Sequence, residues 1–222
     1  MDHPKALPLL PLALAVLFTL SRFLIGQLLP DGSIHGIAAL LLDLVWCIPM
    51  VTRFRRKRAS LMPGKSARLP LSFALSLLSF GMLQLLRALL PADASAQPLP
   101  AFPMMLDLVL ISPLLEEWLF RAEGYLILKS GMPAWCALFL SSLLFAAGHL
   151  DTGSPIAAFV FGILAVLLLE TSLSLLFPIL LHVLLNAVSF LPPMPLWGCA
   201  VTALSGLVLT GLLWKQEQRQ AP

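Results

Sequence analysis

Glu116, Glu117 and Arg121 lie within two helical turns of one another in an otherwise apolar stretch, MMLDLVLISPLLEEWLFRAEGYLIL, residues 104–128. Four of the chain's eleven acidic residues fall there: Asp107, Glu116, Glu117 and Glu123. An ionised side chain at the centre of a membrane helix costs roughly 2.5–3.5 kcal/mol on insertion scales, so each one retained is a functional candidate. Helical spacing separates these groups. Glu117 and Arg121 are four apart, share a face and can pair, with the glutamate on the favoured N-terminal side. Glu116 is rotated by about 100° and shares a neighbouring face with Phe120 and Glu123. It has no obvious cation on its own helix. A carboxyl in such surroundings suits a general acid or base working near neutral pH. Glu116 is therefore read as chemistry, and Glu117 with Arg121 as a polar knot that holds helices together.

Two further apolar stretches carry imidazoles. His149 ends the segment FAAGHLDTG, with Phe145 one turn before it, and His182 lies in LHVLLNAV with Asn186 on the same face four residues later. A single histidine in a helix is ordinarily a hydrogen-bonded packing residue. Here an amide follows one of the two at the distance of a turn, and hydrogen-bond donors held in a dry site are what an oxyanion needs. Asp151 and Thr152 could orient His149, or serve only the turn that follows it. A glutamate, two imidazoles and a water could also hold zinc, although the HExxH spacing of zinc peptidases is absent.

The elements that must position these groups follow from composition. The chain has 222 residues, 59% hydrophobic and 11% charged, with mean hydropathy +0.94. A soluble domain carries about 25% charged residues. So apolar a chain cannot hide its side chains from water, which excludes an ordinary cytosolic enzyme, a secreted disulfide scaffold and a disordered chain. Cys47, Cys136 and Cys199 are far apart in apolar runs and read as packing residues.

Spans of about 20 apolar residues cross a bilayer. Candidates are 8–29, 34–51, 69–90, 104–128, 133–149, 156–170, 174–190 and 195–214, divided by Pro- and Gly-rich turns. The first run is too long for a cleaved signal. The expected fold is an all-α, polytopic membrane helical bundle of about eight transmembrane helices. It forms one integral-membrane domain over 1–222, with a motif-bearing core at 104–190. Seven of the fourteen Lys/Arg lie between 53 and 68. Between two apolar segments such a cluster reads as a cytoplasmic loop, not as a nucleic-acid site. Lys129, Lys215 and Arg219 then share its side, and the loops at 30–33, 91–103, 150–155 and 191–195 carry no Lys or Arg. Both termini are expected inside. Arg22 and Arg87 could snorkel from near their helix ends. Asp43 could pair with one of them, and Glu170 is expected to be solvated.

In chain order the motifs are EExxxR at 116–121, FxxxH at 145–149 and HxxxN at 182–186. This set resembles the CPBP family of intramembrane proteases, which includes the Ras-converting CAAX endopeptidase and Abi-type bacterial members. All seven motif residues match. The resemblance implies a glutamic endopeptidase that needs no cofactor. It implies that Glu116 activates a water together with His149, and that His182 and Asn186 stabilise the oxyanion. Glu117 and Arg121 would hold the motif helix, and Phe145 would pack near the site. The substrate would be a membrane-associated or lipid-anchored protein, cut near its terminus in a bacterial cytoplasmic membrane. With the expected orientation, His149 lies toward the outer side, which favours exported or lipid-anchored substrates. The alternatives are a non-catalytic scaffold of the same fold, a zinc-dependent membrane peptidase, and an ion or proton carrier. The carrier has least in its favour, since no inverted repeat is visible.

Overall fold

The computed structural model describes residues 9–29, 33–54, 68–90, 100–149 and 155–220. Of the basic cluster only Arg68 has a described side chain. Asp151, Thr152 and the turn at 30–32 lie outside the described residues.

Among the described residues every regular element is helical, and the helices form eight continuous stretches. These are α1 (Leu9–Leu28), α2 (Ser33–Phe54), α3 (Leu69–Leu89), α4 (residues 102–131), α5 (Ala134–Ala147), α6 (Pro155–Ser172), α7 (Leu176–Ser189) and α8 (Leu196–Gln220). Each lies within a few residues of an expected span. Prolines open several of them, in the first turns of α3 and α4 and at the first residue of α6. There the missing N–H costs nothing. Extended residues Leu90 and Met132 end α3 and α4. Four helical segments have the length and apolarity to cross a membrane: Ile34–Thr52, Leu69–Leu89, Pro155–Ser172 and Leu196–Arg219. Ala13–Leu28, Ala134–Ala147 and Leu176–Ser189 are apolar but shorter.

The interior and the exterior are both apolar. Leu115, Leu119, Ala137, Ala165, Leu168 and Leu175 are fully buried, while Phe73, Trp135, Trp197 and many leucines of α1, α2 and α8 are exposed. An exterior of this kind is soluble in lipid and not in water, and the chain is an integral membrane protein. Trp135, Trp197 and Trp214 sit near helix ends, where interfacial tryptophans belong.

The helix α4 is the hub and packs against α1, α2, α5, α6 and α7. The helix α3 packs most extensively on α8, and also touches α6 and α7; glycines let the backbones of α3 and α8 meet. A Cβ on Gly81 would lie 2.4 Å from the Ala203 nitrogen, and one on Gly206 would lie 2.2 Å from that of Leu78. Packing over small residues is how membrane helices gain van der Waals contact without a hydrophobic driving force.

Most membrane charges are paired. Arg22 of α1 bonds Asp43 of α2, one of the two pairings that the sequence left open for that aspartate. Arg87 does not simply snorkel: it donates to the carbonyls of Val188, Ser189 and Leu191, each at 2.9 Å. The helical ladder stops at the end of α7; the guanidinium fork serves the carbonyls of Ser189 and Leu191 and adds a second donor to that of Val188, which also accepts from the Leu191 N–H at 3.0 Å. Glu170 is held by Lys129 at 2.6 Å and by the Tyr125 hydroxyl at 3.1 Å.

Candidate active site

The helix α4 is not uniform. Asp107–Ile111 and Trp118–Tyr125 are wide, π-helical stretches, and Ser112–Glu117 is an ordinary α-helical segment between them. The Ser112 N–H bonds the carbonyl of Asp107, five residues back. Pro113 has no N–H, so in that register the carbonyl of Leu108 loses its ladder donor. The side-chain amide of Asn186 donates to it instead, at 2.8 Å. Wide turns of this sort recur at functional sites, and these two flank the Glu116–Glu117 pair.

Glu116 divides its carboxyl group. Oε1 accepts a 2.5 Å hydrogen bond from the Ser112 hydroxyl. Oε2 faces the Nε2 atoms of His149 at 3.6 Å and of His182 at 3.8 Å. Both imidazoles are anchored through the other nitrogen. Nδ1 of His149 donates to the Phe145 carbonyl at 2.9 Å, which can only accept. Nδ1 of His182 meets Glu117 Oε1, also at 2.9 Å. In both rings it is Nε2 that faces Glu116.

Glu117 and Arg121 pair as their spacing implies, with Nε to Oε2 at 3.1 Å and both side chains buried. Glu117 does more than hold α4, because its second oxygen orients His182. The Arg121 guanidinium stacks over Phe145 at 4.3 Å and Phe161 at 5.3 Å. Phe145 is the central wall of the site, touching the rings of His149, His182, Phe120 and Phe161. Phe161 also lies against His182, with centroids 4.5 Å apart.

Glu116, Glu117, Arg121, Phe145, His149 and His182 thus form one cluster from α4, the end of α5 and α7. Asn186 touches α4 one turn further out, with one amide hydrogen committed to Leu108. The sequence reading missed Ser112 and Phe161. Ser112 lies four residues before Glu116, a spacing that places it on the same helix face; nothing marked Phe161. Two Nε2 atoms and a carboxylate are donor types that zinc accepts. Among the described residues, however, no three His, Cys, Asp or Glu side chains group as a metal site.

Neither the curated proteins nor the solved structures contain a significant match to this chain. Residues 98–188, which include all three motifs, match the family model of the type II CAAX prenyl endopeptidase, Rce1-like. The motif-bearing core of this integral membrane protein is accordingly similar to the CAAX-protease family.

Proposed function

We propose that the chain is a glutamate-type intramembrane endopeptidase, in which Glu116 and His149 activate a water molecule against a peptide carbonyl. One observation carries the reading: the Nε2 atoms of His149 and His182 converge on Oε2 of the buried Glu116, at 3.6 and 3.8 Å. A carboxylate oxygen and imidazole nitrogens gathered in this way can hold a water between them. A water gives one to Glu116 and one to His149, which leaves its oxygen lone pair for the carbonyl carbon. As the new C–O bond forms, a water proton passes to this pair. When the C–N bond breaks, the same proton goes to the departing amine.

The developing oxyanion needs donors. His182 serves when Nε2 also carries a hydrogen, and Glu117 then supplies the counter-charge at Nδ1. Asn186 has a second amide hydrogen for the same oxygen. The helix lengths support chemistry inside the bilayer. The 14 residues of α5 reach only about 21 Å, short of the roughly 30 Å hydrocarbon core, and His149 follows its last turn.

The eight helical stretches and the charge asymmetry of the loops support eight crossings with both termini cytoplasmic. This fits residence in a bacterial cytoplasmic membrane, with a membrane-associated or lipid-anchored protein cut near its terminus. A single cysteine placed in the 91–103 loop should react with an impermeant reagent from outside intact cells. Protection of that cysteine reverses the orientation.

The test of function compares membrane-protein termini by mass spectrometry in cells carrying wild type or Glu116→Ala. Full-length substrates are expected to accumulate in the variant, and equally with His149→Ala. Full biological activity in Glu116→Ala would establish a scaffold instead. Loss with chelator and recovery with zinc would establish a metallopeptidase.

A further inference from the structure

Glu116 has a second oxygen that the reaction above does not use, and what holds it comes from outside all three motifs. Oε1 takes the Ser112 hydroxyl hydrogen at 2.5 Å. The Ser112 oxygen in turn accepts from Nη1 of Arg22, 90 residues earlier, at 2.8 Å. The same Nη1 bonds the buried Asp43, and Nη2 lies 3.6 Å from Asp107. The direction of this chain is dictated by chemistry. A guanidinium only donates, so the hydroxyl oxygen facing it must accept, and its single hydrogen is turned away toward the carboxylate. A hydroxyl without that neighbour could instead bond the carbonyl one turn back in its own helix, as Ser72, Ser76 and Ser79 do in α3.

We infer that Arg22 and Ser112 are positioning residues for Glu116, which lock its carboxyl rotation so that Oε2 points at the two imidazoles. The inference rests on the peptidase reading for its catalytic meaning, but its geometry is testable without it. Asp43 and Asp107 hold the guanidinium from the far side and keep the fork aimed at Ser112. The charged side chains of α1 and α2 that sequence alone assigns to helix ends and a chance pairing thus become part of the support of the site. A carboxylate with a free torsion would spend only part of its time facing both histidines, and misplacement by about 1 Å can cost a hundredfold in rate.

The key variant is Ser112→Ala, which removes one atom and leaves the buried ion pairs intact, with Ser112→Thr as the conservative restoration of the hydroxyl. In purified protein, infrared difference spectra between each form and its Glu116→Gln counterpart isolate the Glu116 carboxylate band. That band is expected to shift in Ser112→Ala and to return in Ser112→Thr. On the substrate that accumulates with Glu116→Ala, Ser112→Ala should lower kcat about tenfold, as for loss of a hydrogen bond to a charged group, with KM within about a factor of two. Arg22→Gln alone would leave buried carboxylates unpaired, so it is made with Asp43→Asn and Asp107→Asn. The triple variant should lose activity to a similar extent, and adding Ser112→Ala to it should cost little more, because Arg22 acts through Ser112 on Glu116. An unmoved band in Ser112→Ala, or wild-type kcat in that variant, overturns the inference. If no substrate accumulates with Glu116→Ala, the peptidase reading fails, and the infrared band alone judges the Arg22–Ser112–Glu116 chain.

Discussion

The side-chain amide of Asn186 donates to the main-chain carbonyl of Leu108 across 78 residues of sequence, at the wide turn that precedes Pro113. The bond explains how an interrupted helix survives next to the site. In lipid no water replaces the lost donor, and an unsatisfied carbonyl is costly. It also ties the helix that carries His182 to the helix that carries Glu116.

Asn186→Ala should therefore destabilise the protein by about 1–3 kcal/mol, the cost of leaving a buried acceptor unmet. Adding Pro113→Ala returns an N–H to the ladder and should recover most of that stability. It should not recover activity, because the donor for the oxyanion is still missing. Thermal unfolding in detergent, measured beside substrate processing, separates the two effects. Equal recovery of both would deny Asn186 any part in the chemistry.

Glu117 serves two masters, Arg121 and His182, and they can be told apart. Glu117→Gln leaves the buried guanidinium without its anion and should cost about 3–5 kcal/mol. Combining it with Arg121→Met removes both charges and should restore much of the stability. Activity of that double variant should stay down by roughly 10²–10⁴-fold, since His182 has lost the carboxylate that orients it. A double variant with near wild-type turnover would reduce Glu117 to a packing role.

Leu173 has φ of 52°. It follows the last residue of α6, and its N–H bonds the Leu169 carbonyl at 2.8 Å. That left-handed place at a helix end belongs to glycine, and an L-residue with a side chain pays about 1–2 kcal/mol there. Leu173→Gly should raise stability by about 1 kcal/mol, read as a higher unfolding temperature. A lower one would mean that the exposed leucine contributes more through its apolar contacts than its backbone costs.

The α3–α8 seam predicts opposite signs for one substitution at two places on one helix. Gly206→Ala puts a Cβ 2.2 Å from the Leu78 nitrogen, where backbone cannot yield cheaply, and should cost about 1–3 kcal/mol. Gly211→Ala meets nothing within 4 Å and should gain up to about 1 kcal/mol from helix propensity. Unfolding temperatures of the two variants should bracket that of wild type. Equal shifts would deny that α8 is seated by this contact.

Each expected span, read from runs of apolar residues, has a helix in its place. The separation of Glu116 from the Glu117–Arg121 pair was equally legible, because Glu116 and Glu117 are neighbours in an α-helical segment and so point about 100° apart. Four helical segments satisfy length and apolarity for crossing. Of the three shorter ones, α5 and α7 have 14 residues each; His149 follows the first and His182 lies in the second, so the two shortest bring imidazoles to the site. The pairing of Arg22 with Asp43 could only be guessed, as two opposite charges in different spans with a choice of partners.

Sequence by itself determined that the chain belongs in a bilayer, where its helices run, and which few ionisable groups lie among apolar neighbours. Residue type and periodicity suffice for that, since both act over a handful of positions. Only the tertiary structure decided which of those groups meet. Glu117 turned out to face His182, Asn186 to bond a carbonyl freed by Pro113, and Arg22 to reach Ser112. These contacts depend on the depths and rotations of separate helices, which are set by side-chain packing across many residues at once. No local pattern encodes them.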